Sequence, residues 1–259
     1  MASWKDAVRR VLYPAYEARL ARRLPAARIP QHVGVMLDGN RRWARAVGAE
    51  TAEGYRAGAD NIQPMLGWCE EVGVRVVTLW LLSSDNLTNR PVEQLAGLLA
   101  IIEGAVESLA ATGRWRIHPV GALDLLPAGT AEKLKAAEDA TRDVDGLLVN
   151  VAVGYGGRRE IADAVRSLLL EEADRGRTLE ELAEVVDVEH IADHLYTKGQ
   201  PDPDLVIRTS GEQRLGGFLL WQSAHSEFYF CEALWPDFRR VDFLRAIRAY
   251  AERERRFGS

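Results

Sequence analysis

The residues best suited to chemistry lie in one short run, Asp38-Gly39-Asn40-Arg41-Arg42-Trp43. A glycine lets backbone amides approach an anion closely, and a helix start behind it adds the positive end of a dipole. Two adjacent arginines, Arg41 and Arg42, offer fork-shaped donors that match phosphate oxygens. An aspartate beside phosphate is repulsive unless a divalent cation lies between them. Asp38 in this company therefore points to Mg²⁺ bridging a diphosphate. Taken alone, the same run also fits an ordinary Asp-Gly turn followed by a solvated, basic helix start.

A second run, Arg208-Thr209-Ser210-Gly211-Glu212-Gln213-Arg214, is too polar for a core. Its outer arginines can clamp a second phosphate group, or they can be plain surface residues. A third run, Gly154-Tyr155-Gly156-Gly157-Arg158, fails the dinucleotide pattern G-x-G-x-x-G because Arg159 stands at the last glycine. It fits either a helix-start anion site or a tight strand-to-helix turn. Ser83-Ser84-Asp85-Asn86 follows an apolar stretch and is a fourth polar cluster. No P-loop, H-E-x-x-H or G-x-S-x-G pattern occurs. His190 and His194 are four apart on an expected helix, where solvent exposure is the plain reading.

These clusters need elements to hold them. Six β-like runs alternate with helical stretches: Val33–Leu37, Arg75–Leu82, Arg116–Gly121, Leu147–Val153, Asp204–Arg208 and Glu227–Phe230. Helices are expected over Gly58–Val72, Val92–Ala111, Thr130–Thr141, Arg158–Glu172 and Val241–Arg253. Strands separated by helices of this length imply right-handed crossovers, so the expected fold is one α/β domain with a central, mostly parallel six-stranded sheet flanked by helices. Ligands of such sheets gather beyond the carboxyl ends of the strands. The four polar runs follow strand ends, which favours one site over four unrelated turns.

Composition limits the classes. With 259 residues, 47% hydrophobic, the chain can build one substantial core, and a net charge of −5 lacks the basic field of a nucleic-acid binder. Cys69 and Cys231 form no C-x-x-C pattern, so neither a zinc site nor a disulfide framework is expected. The apolar stretch Val76 to Leu82 is too short to span a bilayer, and a cytoplasmic protein is expected. Residues 1–25 carry Lys5, Arg9, Arg10, Arg19, Arg22 and Arg23 against Asp6 and Glu17, with apolar residues at roughly helical spacing. Such a basic amphipathic helix can touch an anionic membrane as a peripheral contact, or pack on the domain formed by residues 26–259.

Taken in order, the motifs resemble the cis-prenyltransferase family, the undecaprenyl diphosphate synthase-like enzymes. The resemblance rests on Met36 to Ala44, Gly54-Tyr55-Arg56-Ala57-Gly58, Ser83 to Asn86, Gly154 to Arg158, Asp202 to Glu212, Phe218 to Gln222, Ser226 to Phe230 and Trp235 to Phe238. It implies condensation of an allylic diphosphate with isopentenyl diphosphate, with Mg²⁺ as cofactor and a homodimer as the working unit. Asp38 would hold Mg²⁺, helped by Glu227. Gly39, Asn40, Arg41, Arg42, Trp43 and Tyr55 would bind the allylic diphosphate. Ser83, Arg208, Arg214 and Gly216 would bind isopentenyl diphosphate, joined by Arg256 and Gly258 reaching across from the partner subunit. Asn86 would act with Asp38 in catalysis by positioning the proton to be lost.

The departures from the family pattern concern substrate choice. Many members carry histidine at Tyr55, arginine at Thr51, serine at Gly216, tyrosine at His225, and Glu-Asn-Trp in place of Asp85-Asn86-Leu87. Leu81 falls where long-chain members carry a small residue, and a leucine in a packed tunnel wall favours a short product. The pattern looks most like short-chain Z-farnesyl diphosphate synthases, which join geranyl diphosphate to one isopentenyl diphosphate. The alternatives are a long-chain polyprenyl diphosphate synthase, an irregular lavandulyl-type synthase, and a noncatalytic synthase subunit.

Overall fold

A computed structural model describes residues 16–22, 24 and 28–253. Its frame is a six-stranded sheet of order β3-β4-β2-β1-β5-β6. The strands are β1 (His32–Met36), β2 (Val76–Ser83), β3 (Arg116–Val120), β4 (Leu148–Tyr155), β5 (Leu205–Arg208) and β6 (Glu227–Phe230). Every pairing is parallel, which sharpens the expectation of a mostly parallel sheet. All of β1 is buried, as is nearly all of β4, as strands covered on both faces must be.

The chain builds outward from β1 on one side through β2, β4 and β3, then crosses to add β5 and β6 on the other. This reversal sets the carboxyl ends of β5, β1 and β2 side by side, the crevice position expected of an open α/β sheet.

Helix α1 (residues 16–22) packs on the domain, with Leu20 buried in the main core and Glu17 3.5 Å from Arg240. This is the packing alternative for that stretch; residues 1–15, and with them most of the basic segment, lie outside the described residues. The expected helix Gly58–Val72 is two helices, α3 (Thr51–Asp60) and α4 (Ile62–Val72). They break at Asn61, whose amide donates to the carbonyls of Trp235 and Phe238. Short α2 (Asn40–Val47) and α5 (Ser84–Asn89) follow β1 and β2 directly. Helix α6 (Val92–Ala111) is long and apolar enough to cross a membrane by length and composition. Leu98, Leu99, Ile102, Val106 and Leu109 on it face the main core. Helices α7 (Ala128–Thr141), α8 (Gly157–Asp174), α9 (Leu179–Val185), α10 (Val188–Ala192) and α11 (Arg240–Glu252) complete the layers.

Two details of the sheet bear on function. Between β2 and β4 the register slips, with Trp80 opposite Ala152 and Leu82 opposite Val153, so Leu81 is an extra residue on β2. Such a bulge ends strict alternation and re-aims side chains. Here both Leu81 and Leu82 turn to the main core, whereas Trp80 joins the smaller cluster on the other face and stacks on Phe218 at 5.2 Å. At the far end of the sheet a buried polar ladder ties β1 to β2 and β4. His32 Nε2 lies 2.8 Å from Thr78 Oγ1, which accepts from Asn150, and His32 Nδ1 meets the Pro201 carbonyl at 2.7 Å.

Candidate active site

The first polar run begins where β1 ends. Gly39 takes φ 110° as N-cap of α2, a conformation open to glycine, and a Cβ there would lie 2.9 Å from the Leu234 side chain. The turn is pinned to the next strand: Asp38 N–H donates to Thr209 Oγ1 at 3.0 Å, and that hydroxyl donates back to the Asp38 carbonyl at 2.7 Å. Helix α3 approaches closely from the side. A Cβ on Gly54 would lie 2.3 Å from the Asn40 carbonyl oxygen, and one on Gly58 would lie 2.2 Å from Asn40 Oδ1. Two glycines spaced by one helical turn thus let the anion loop lie directly against α3.

The Asp38 carboxylate meets Arg208 Nη2 at 2.9 Å and Arg42 Nη2 at 3.8 Å. Partial burial alone would raise its pKa. The hydrogen bonds from Arg208 and Ser210, with the charges of Arg208 and Arg42, outweigh that and hold it below the usual carboxylate range. Arg208 is buried, yet its Nε has no partner within the protein. Its other nitrogen donates to the Arg214 carbonyl, which fixes the guanidinium beneath the loop. A buried guanidinium that also lines an open cleft is suited to an anion that arrives from outside.

These groups line one end of a cleft of about 310 Å³. Asp38, Gly39, Asn40, Arg41, Arg42, Tyr55, Ser83, Asn86, Arg208, Arg214 and Gly216 all reach it. The other end is apolar, walled by Ile62 of α4, Leu81 and Leu82 of β2, and Leu98, Ile101, Ile102 and Ala105 of α6. Ser83 caps α5, its hydroxyl accepting from Asn86 N–H at 3.1 Å, so the two residues are held as a unit. The bulge therefore performs two tasks: it turns Leu81 and Leu82 into the apolar wall and leaves Ser83 at the polar end.

Other described residues singled out in the sequence stand apart from this cleft. Glu227 is not on the rim of its own chain's site. It opens β6 opposite Leu205, three residues before Arg208, hence about 10 Å toward the amino ends of the strands. There it pairs with Arg253. Trp43 is not among the lining residues, although its N–H closes the first turn of α2 onto the Gly39 carbonyl. Gly154 to Arg158 is a packing turn: a Cβ on Gly156 would strike Ser84 Oγ at 2.4 Å, and one on Gly157 the Gly217 carbonyl at 2.5 Å. Arg256 and Gly258 lie outside the described residues.

Arg90 also lines the cleft, and sequence reasoning missed it. It donates to the Tyr55 hydroxyl at 2.6 Å with its guanidinium 5.5 Å from the ring centre, so Tyr55 aims a further cation at the polar end. The available signal was its place just before Pro91, at the end of the helix that Ser83 begins.

Among the described residues, no three His, Cys, Asp or Glu side chains gather to hold a metal. Asp38 is the one acidic residue among the described residues lining the cleft. That suits Mg²⁺, which takes one or two protein carboxylates and completes its shell with substrate phosphate oxygens and water.

The chain is similar to known proteins over nearly its whole length. The family model described as putative undecaprenyl diphosphate synthase matches residues 36–258. A (2Z,6E)-farnesyl diphosphate synthase of Thermobifida fusca is 67% identical over 95% of this chain and 97% of its own length. An isoprenyl transferase of Streptomyces avermitilis is 60% identical over 98% of this chain and 99% of its own. The crystal structure of lavandulyl diphosphate synthase from Lavandula x intermedia, in complex with dimethylallyl diphosphate, superimposes with a TM-score of 0.83 at 32% identity, over 89% of this chain and 99% of that one. A match that runs unbroken from the Asp38 loop to the last helix, with two relatives identical at more than half of their positions, places the chain in the undecaprenyl diphosphate synthase family of prenyltransferases.

Proposed function

We propose that the chain condenses geranyl diphosphate with one isopentenyl diphosphate to give (2Z,6E)-farnesyl diphosphate and diphosphate. The observation that carries this reading is the two-ended cleft: cationic loops around Asp38 at one end, and at the other a short apolar wall formed at the Leu81 bulge. A volume of about 310 Å³ stands at the small end of ligand pockets, which run from roughly 300 to 1,000 Å³. The name of the Thermobifida fusca relative supports the same product.

Arg41, Arg42 and Asn40 grip the allylic diphosphate on the α2 start, with Arg90 held over it by Tyr55. Arg208 and Arg214 take the diphosphate of isopentenyl diphosphate. Asp38 would hold Mg²⁺, which would supply neutralisation of the charge that develops on the departing diphosphate. The arginines stabilise the same developing charge on the departing diphosphate, and they do so from fixed positions. The allylic cation is attacked by the double bond of isopentenyl diphosphate. Asn86, its backbone held by the Ser83 cap, would help to position isopentenyl diphosphate, and the proton that is then lost passes to the departing diphosphate or to water.

The working unit is a homodimer. Glu227 stands at the amino end of edge strand β6, beside the half-exposed, stacked Phe228 and Phe230, so it can serve a metal only in a second copy's site. Arg256 and Gly258 are assigned to the same trans contribution. Both substrates are water-soluble diphosphates, which suits a cytoplasmic enzyme.

Purified protein with Mg²⁺, isopentenyl diphosphate and each of dimethylallyl, geranyl and farnesyl diphosphate tests the reading by product size and branching. A regular fifteen-carbon product from the geranyl starter is expected. Long polyprenyl chains, a branched product, or no turnover would each overturn it.

A further inference from the structure

The two arginines assigned to different diphosphates share one anion already. Glu212, on the loop after β5, places Oε1 3.8 Å from Arg42 Nη1 and Oε2 3.3 Å from Arg214 Nη2. Arg42 belongs to the α2 start and Arg214 to the β5 loop, so one carboxylate spans the gap between the two arms of the site. The loop itself is firmly set: Ser210 holds φ 81°, and Gly211 at φ 74° lies so close to Glu232 that a Cβ would sit 2.5 Å from its carboxylate. The Glu212 side chain by contrast is 34% exposed and has solvent to swing into.

We propose that Glu212 is an internal competitor that couples the two diphosphate subsites. Resting on the reading of Arg42 and Arg214 given above, it occupies both arginines in the free protein and is displaced when either diphosphate arrives. A diphosphate on Arg42 removes half of the attraction that holds the carboxylate and adds a like charge beside it, so Glu212 leaves Arg214 as well. The second diphosphate then meets an unoccupied arginine. Because both ligands displace the same bridging state, each favours the other, and the coupling is reciprocal. The chemical result is that the cleft fills in pairs, which limits ionisation of an allylic diphosphate that has no acceptor beside it.

The test is titration calorimetry in Mg²⁺ with two probes, isopentenyl diphosphate and the non-ionising geranyl thiolodiphosphate, each alone and each with the other present. The wild-type protein is expected to bind each probe more tightly when the other is present. Glu212→Gln is expected to bind each probe alone about fivefold more tightly, the scale of one exposed ion pair, with the mutual enhancement falling toward one. Glu212→Ala should behave alike, which guards against new contacts of the amide. Unchanged or weaker binding of both probes in both variants overturns the proposal and makes Glu212 a support for the arginines. If the wild-type protein binds neither probe, or if Arg42→Ala and Arg214→Ala weaken neither, the assignment of the arginines fails and the coupling with it.

Discussion

Replacing Leu81 by alanine should lengthen the product. Leu81 is the extra residue of the β2 bulge, half-buried, with one side against the main core and the other facing the apolar end of the cleft. Adding an isoprene unit to a growing chain buries five more carbons, worth about 0.8 kcal/mol each, or roughly 4 kcal/mol if the space exists. Termination therefore needs a wall whose displacement costs at least that much. Forcing atoms into a packed wall costs about 1–3 kcal/mol per overpacked group, and Leu81 and Leu82 stand together. Removing one of the two should return about 1–3 kcal/mol to the elongation step, which shifts the ratio of twenty- to fifteen-carbon product by roughly five- to 150-fold. Leu82→Ala is the contrasting variant. Its side chain is 2% exposed, so truncation should lower stability by about 2–5 kcal/mol, whereas the partly buried Leu81 should lose less. Chromatography of dephosphorylated products and thermal melts of both variants give the two readouts. A folded Leu81→Ala enzyme that still stops at fifteen carbons would refute the reasoning, because the wall would then lie elsewhere.

Asp38→Ala should lower kcat by about two orders of magnitude or more, since the carboxylate that would hold the cation against the developing charge is lost, and should lower the melting temperature without unfolding the protein because buried Arg208 loses its partner at 2.9 Å; near-normal turnover in Mg²⁺ would remove Asp38 from the metal. Gly54→Ala adds a Cβ 2.3 Å from the Asn40 carbonyl, so α2 must shift, and KM for the allylic substrate should rise about tenfold with little change for isopentenyl diphosphate. Buried His32 should make the fold acid-sensitive. Burial pulls its pKa from 6.5 to about 4, against the opposing pull of the Pro201 carbonyl and Asp204. Its contribution is intact above pH 6.5 and is lost as pH falls toward 4, about 3 kcal/mol in all because the unfolded chain binds the proton first. Denaturant melts between these limits should show that slope in the wild type and lose it in His32→Gln.

The strands were legible because a parallel sheet buried on both faces writes itself as continuous apolar runs, and Val76 to Leu82 is one. The extents of the short helices were not. Helix α2 is largely polar and starts where Gly39 turns left-handed, and the break between α3 and α4 comes from Asn61 bonding to carbonyls some 170 residues away. Neither leaves a periodic trace. In the site, contiguous runs were readable as neighbours: the Asp38 loop and the Arg208–Arg214 pair line the same cleft. The Leu81 bulge was not readable, because a register slip is a property of two strands together. Nor was the pairing of Arg90 with Tyr55, which joins side chains 35 positions apart.

Glu227 shows how a strand boundary decides which rim of the sheet a residue occupies. Asp38 and Arg208 stand at or just beyond the carboxyl ends of β1 and β5, while Glu227 begins β6. In a sheet whose strands all run the same way, a residue that opens a strand lies on the opposite rim from one that closes it. The distance follows from the rise per residue, about 10 Å over the three residues from Leu205 to Arg208. No side chain of this length closes that gap in the same chain. Asp38 is the one acidic residue among the described residues lining the cleft. Any further carboxylate for a cation there would have to come from outside this lining, and substrate phosphate oxygens, water and neutral protein oxygens can complete its shell.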